Sequence, residues 1–177
     1  PGTSGNVLTS NGTTWTSTTP SSGFSAAADN TFTGIQTFTG TSSKIAMVLT
    51  DVAEAATVSA TAATGTIAYD VTTQSVLYYT SNASANWTVN FRGSSGTSLN
   101  TLMTTGQMMT LAFLVTQGAT AYYNSAVQVD GSSVTPKWQG GTAPAAGNAS
   151  SIDVYTYTIV KTGSAAFTVF ASQTKFA

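Results

Sequence analysis

Residues 108–117 read Met-Met-Thr-Leu-Ala-Phe-Leu-Val-Thr-Gln, the longest strongly apolar run in the chain. At period two, Met109, Leu111, Phe113 and Val115 share one face. Met108, Thr110, Ala112 and Leu114 share the other, which is smaller but still mostly apolar. A strand with two apolar faces belongs in the middle of a sheet, not at its rim. The run is too short to cross a bilayer as a helix, which takes about 20 residues. Gln117-Gly118-Ala119-Thr120 punctuates it, and 122–129 reads as a strand that returns beside it.

The flanking sequence supplies more strands and almost no helix. Thr66 to Val71 alternates, with Ile67, Tyr69 and Val71 on one face. Val76-Leu77-Tyr78-Tyr79 follows a turn. Residues 86–92 alternate strictly, with Trp87, Val89 and Phe91 inward. Together these predict a three-stranded antiparallel meander. Residues 93–106 form a connection whose Leu99 and Leu102 are expected in the core. Asp130-Gly131 is a turn signal. Residues 134–138 read as an edge piece, because Pro136 cannot donate to a ladder. Residues 152–161 and 165–176 form a closing hairpin, with Tyr155, Tyr157 and Ile159 on one face and Phe167, Val169 and Ala171 on the face of its partner. Many short strands joined by turns predict an all-β fold, an antiparallel β-sandwich of jelly-roll-like form, over residues 45–177.

Residues 1–44 differ in character. They are low in complexity, rich in Gly, Ser and Thr, and read as an extended N-terminal arm. Val7-Leu8-Thr9 and Thr14-Trp15-Thr16 flank Asn11-Gly12, which favours a type I′ hairpin turn. The return strand is expected to stop at Thr16, with Ser17-Thr18-Thr19-Pro20 as loop. A short repeat follows: Thr31-Phe32-Thr33-Gly34, then Ile35-Gln36, then Thr37-Phe38-Thr39-Gly40. One aromatic and one glycine per unit cannot bury the aromatic alone. Either the repeat packs on its own domain, or neighbouring chains supply the other walls; in the second case Phe32, Ile35 and Phe38 form an oligomer interface. Ile45-Ala46-Met47-Val48-Leu49 reads as a strand. The Ala-rich stretch 51–63 is compatible with a helical turn, but Thr57, Val58, Ser59 and Thr61 argue for extended chain.

Charge narrows the function classes. Only 6% of residues are charged, against about 25% in ordinary domains. A domain without a charged surface is expected to hide much of that surface in an assembly. The net charge is −1 and no basic patch exists, which argues against nucleic acid as a partner. No stretch reads as a signal peptide, a membrane-surface helix or a transmembrane span. The chain starts at Pro1 without Met, as a processed chain or part of a longer one would.

Chemistry is sparse. The chain has no His and no Cys, so triads, dyads and transition-metal sites lose their usual members. A glycosidase needs two carboxyl groups about 5–9 Å apart. Asp51 and Glu54 are neighbours that nothing brackets, and Asp130 and Asp153 are the pair a fold might bring together. Asp130 is better explained by its turn. No enzyme, cofactor or metal is expected. The remaining candidates are aromatic: Tyr122, Tyr123 and Trp138 as a platform for sugar rings, with core or interface packing as the competing explanation. Trp138 is the best placed, on an edge piece before a loop.

These residues carry a resemblance. The segment from Gly2-Thr3-Ser4-Gly5-Asn6 through Asn11-Gly12 to Trp15, and the Thr-Phe-Thr-Gly repeat, resemble segments of tail-fibre and other virion structural proteins of tailed bacteriophages. Tyr69-Asp70-Val71, Leu77-Tyr78-Tyr79, Asn86-Trp87-Thr88 and Lys137-Trp138-Gln139-Gly140-Gly141 resemble a virion-protein module of marine phages, cyanophages among them. The resemblance implies a structural β module at the surface of a phage particle, on tail or capsid. It would be a fibre, fibre tip or appendage, assembled as a homotrimer and joined to other virion proteins through the arm. A receptor- or glycan-binding module that meets a host surface glycan is the alternative; a capsid decoration protein or a polysaccharide depolymerase ranks below both.

Overall fold

The computed structural model describes residues 6–18, 32, 34–49 and 52–176, in two units, Pro1–Val52 and Ala53–Ala177. The division falls at 52/53, beyond the expected 44/45. Gly2 to Gly5, Thr19-Pro20, Thr31, Thr33 and Asp51 lie outside the described residues.

In the first unit β1 (Val7–Ser10) and β2 (Trp15–Thr18) form the expected antiparallel hairpin. Ser10 pairs with Trp15, so the loop has four residues and not the two of a type I′ turn. Asn11 organises it: its Oδ1 accepts from the backbone N–H of Thr13 at 2.9 Å and of Thr14 at 2.8 Å. The return strand continues through Thr18, where the Thr9 and Thr18 hydroxyls meet at 3.0 Å. Residues 45–49 form no strand. After the Thr41/Lys44 bridge they have no partner edge among the described residues, and a strand without a ladder leaves its polar backbone to water.

The second unit is a two-sheet β-sandwich whose chain alternates between sheets. β3 (Ala56–Ala62), β5 (Val76–Ser81) and β7 (Met108–Thr116) enter one sheet. β4 (Gly65–Asp70), β6 (Trp87–Arg92) and β8 (Asn124–Val129) enter the other. Successive strands within each sheet are therefore parallel, joined by a crossover through the opposite sheet. β9 (Ser132–Val134) turns back antiparallel on β8 through Asp130 and Gly131, both at positive φ, the geometry of a type I′ turn. Pro136 then sits where the chain leaves one rim for the other, between β9 and β10 (Lys137–Trp138). β11 (Ile152–Gly163) and β12 (Ala166–Phe176) close the larger sheet as the expected antiparallel hairpin. The orders are β10-β12-β11-β7-β5-β3 and β4-β6-β8-β9.

The all-β sandwich stands, but its ladders are mixed rather than jelly-roll-like: five of the eight in this unit are parallel. The expected meander is absent, since β4 pairs with β6 while β5 lies in the other sheet. Likewise the strand after Gly118 crosses to pair with β6, and β7 is flanked instead by β5 and β11. A hairpin and an arch that crosses between sheets display the same period-two alternation, so the pattern carries no information about which strand is the neighbour.

The core lies between the sheets. Trp87, Phe91, Phe113, Tyr155 and Tyr157 are all at most 1% exposed. Trp87 meets Phe113 and Tyr155 edge-on at centroid distances of 6.1 and 5.5 Å, and Phe91 meets Tyr157 at 4.8 Å, the T-shaped geometry the ring quadrupoles favour. Tyr69 crosses the core from the smaller sheet. Its hydroxyl lies 2.6 Å from the Ser75 carbonyl and 2.9 Å from that of Ala112 on β7, so one side chain ties the two sheets together. Between β6 and β7, Ser98 caps the short helix α1 (Leu99–Leu102). Leu99 enters the core as expected. Leu102 is 44% exposed and lies over Gly93 instead.

Candidate functional site

The main polar feature of the second unit is a buried network on β7, β11 and β12 and the loops at one end of the sandwich. Asp153 is fully buried. Its Oδ2 accepts from Gln117 Nε2 at 3.0 Å, from the Asn148 backbone N–H at 3.1 Å and from Gln173 Nε2 at 3.3 Å; its Oδ1 has no partner. Gln117 also clamps Tyr122 in both directions, accepting from its N–H at 3.0 Å and donating to its carbonyl at 2.7 Å. Gln173 donates to the Tyr155 hydroxyl at 2.9 Å, and Tyr157 bonds Asn124 Oδ1 at 3.2 Å. Gly147 closes the cluster, because a Cβ there would lie 2.3 Å from the Tyr122 carbonyl oxygen and 2.7 Å from Asp153 Oδ2.

Burial pushes the Asp153 carboxyl above the ordinary range, against the three N–H donors and the pull of Lys175. Burial likewise raises the Tyr155 and Tyr157 phenols. This is a network of donors on a single carboxylate oxygen, without a second acid beside it. It joins loops 117–123 and 142–151 to the end of β12, and its chemistry is that of a structural clasp. Sequence reasoning grouped Tyr155, Tyr157 and Ile159 on the inner face of β11; Asp153 has the same parity, and that parity was the signal for a buried carboxylate.

Asp130 and Asp153 are not brought together. Asp153 lies in the network at the Asn124 end of β8, and Asp130 lies past its other end, roughly 20 Å away at the usual rise per residue. Asp130 accepts from the backbone N–H groups of Leu99 at 2.6 Å and Asn100 at 2.9 Å, anchoring the start of α1. Glu54 accepts from the Ser75 hydroxyl. Asp70 pairs with Arg92 at 2.6 Å across β4 and β6. Among the described residues no three of His, Cys, Asp and Glu cluster as metal ligands, and no helix is long and apolar enough to cross a membrane.

The three aromatic candidates separate. Tyr122 packs against the core and is held by Gln117. Tyr123 is half-buried, its N–H on Asn86 Oδ1 at 3.1 Å. Trp138 is half-buried against Tyr157 at 6.4 Å rather than displayed. It walls two grooves, one with Lys137, Gln139 and Phe170, the other with Asn124, Pro136 and Pro144; neither includes Tyr122 or Tyr123. A larger groove of about 530 Å³ lies beside the network, walled by Asn82, Gln117, Gly118, Ser150 and Phe176. In the first unit Ile35 is 96% exposed, Phe38 56% and Phe32 47%.

Comparison with protein-family models, with curated proteins and with solved structures found no significant match.

Proposed function

We propose that the chain is a structural β module of a phage particle, a fibre, fibre tip or surface appendage. In this reading it assembles as a homotrimer, and its arm joins other virion proteins. The observation that carries the assembly is the first unit, where Leu8, Trp15, Ile35 and Ile45 are 70–96% exposed on a chain almost without charge. Apolar surface of that density normally marks a contact with other protein. Phe32, Ile35 and Phe38 are the residues this reading assigns to the interface, and the resemblance of the repeat to fibre stems supports the setting. The role is architectural rather than enzymatic, in keeping with the separated carboxylates. Native mass measurement of the full chain is expected to give three copies; a stable monomer with an intact arm overturns the assembly. Density for an intact particle, with this chain traced at its surface, tests the location.

A second reading, compatible with assembly through the arm, is recognition of a host surface glycan. The groove shared by Trp138, Phe170, Lys137 and Gln139 favours it, because an aromatic wall beside an amide and a cation suits a sugar ring. A glycan array is expected to show binding that Trp138→Ala removes. No binding at all, or binding that survives the substitution, overturns it.

A further inference from the structure

The two outer faces of the sandwich differ in kind. On the smaller sheet one register line carries Ala68, Asn90, Gln128 and Ser133, and the next ends in the Asp70/Arg92 ion pair. That face is polar, as an ordinary solvent-facing sheet surface is. On the larger sheet the corresponding line runs Val58, Tyr78, Leu114, Val154 and Thr174. Four of the five large apolar residues that the second unit leaves exposed stand on this face: Val58 (63%), Met108 (62%), Phe170 (49%) and Phe176 (53%). Its one charged side chain is Lys137, at the β10 rim.

We infer that this outer face of β3, β5, β7, β11, β12 and β10 is a self-association surface, covered by the same face of neighbouring copies. The inference rests on the assembly reading above and gives it a second surface, independent of the arm. Two arguments select a copy of this chain as the occupant. The first is charge: a face with a single rim cation offers nothing for an acidic or basic partner to match, whereas an uncharged, Thr- and Val-rich face is complementary to itself. The second is area. Six strands of 2 to 12 residues, spaced at about 4.8 Å with about 3.3 Å per residue, present roughly 700 Å². A stable interface needs about 800 Å² per partner, so this face supplies most of one.

The test is light scattering on the full chain. Leu114→Lys and Thr158→Lys lie on the face, Gln128→Lys on the polar face, and Phe38→Lys in the arm; circular dichroism checks that each variant folds. The face variants are expected to weaken association at least tenfold, with Gln128→Lys at the wild-type mass. If the face variants keep the wild-type mass while Phe38→Lys lowers it, this surface is not an interface although the assembly reading survives. A monomeric wild type removes both. Should the lysine variants fail to fold, the absence of native cysteine permits a second measurement. A thiol at Thr158→Cys is expected to alkylate at least tenfold more slowly than one at Gln128→Cys, which is likewise half-buried but on the polar face, and equal rates overturn the inference.

Discussion

Replacing Gly147 by alanine inserts one methyl group into the most crowded polar site of the molecule. The new Cβ would lie 2.3 Å from the Tyr122 carbonyl oxygen, 2.7 Å from Asp153 Oδ2 and 2.8 Å from Gln117 Nε2. Ordinary contact begins near 3.4 Å, so about 1 Å must open, and the closest atom is backbone that cannot rotate away. That carbonyl accepts from Gln117 Nε2, which also donates to Asp153, so moving it strains both bonds at once. Overpacking costs about 1–3 kcal/mol, and each buried polar group left unpaired costs a similar amount. A loss of about 3 kcal/mol is expected, which lowers Tm by roughly 10 °C in a unit of this size. Gly96→Ala is the control: nothing lies within 4 Å of its Cβ position and its φ is not positive. There the same methyl group should be neutral or stabilise by up to about 1 kcal/mol, through the unfolded chain. Thermal unfolding followed by circular dichroism measures both. If the two variants lie within about 1 kcal/mol of each other, the account of a clasp closed on Gly147 is wrong.

Two further outcomes follow from the carboxylates. Asp153 has its folded pKa raised by burial, so the folded state resists ionising it. Its unfavourable contribution is absent below the unfolded pKa of about 3.9 and grows as pH rises through the folded value. The stability of wild type relative to Asp153→Asn should therefore fall with rising pH across that window, read from urea midpoints; a flat difference refutes it. Asp130→Ala removes two backbone hydrogen bonds at the start of α1 and places alanine at φ 51°, at an expected cost of about 1–2 kcal/mol. Asp130→Asn, which tolerates that φ and keeps one acceptor, should recover part of it in the same denaturation assay.

Local rules made the strands legible and left their partners illegible. Alternation located β4, β6, β11 and β12, and Asp130-Gly131 specified its turn, because each of these depends only on residues close in the chain. The choice between a hairpin and an arch depends on which edge is free when a strand arrives, and no residue between β4 and β5 encodes that. Ile45 to Leu49 has strand composition without a partner, so propensity alone misplaced it. Leu102 failed because the inward position one turn after Leu99 is taken by Met103, 4% exposed in the core, which leaves Leu102 at the rim over Gly93. Of the candidate site, the separation of Asp130 from its supposed partner was half visible, since its turn was recognised. The Asp153 network was not, because Gln117, Gly147 and Gln173 are distant in the chain and meet only when the sheets close.

The place of β12 bears on how such a chain is made. Although it follows both in the chain, β12 does not finish at the rim of the larger sheet; it slots between β11 and the short β10. β10 has no partner in that sheet until β12 arrives, and β11 keeps one side open. A polypeptide cut short after β11 is thus missing an inner member rather than an outer one, and the facing edges of β10 and β11 are both left unpaired.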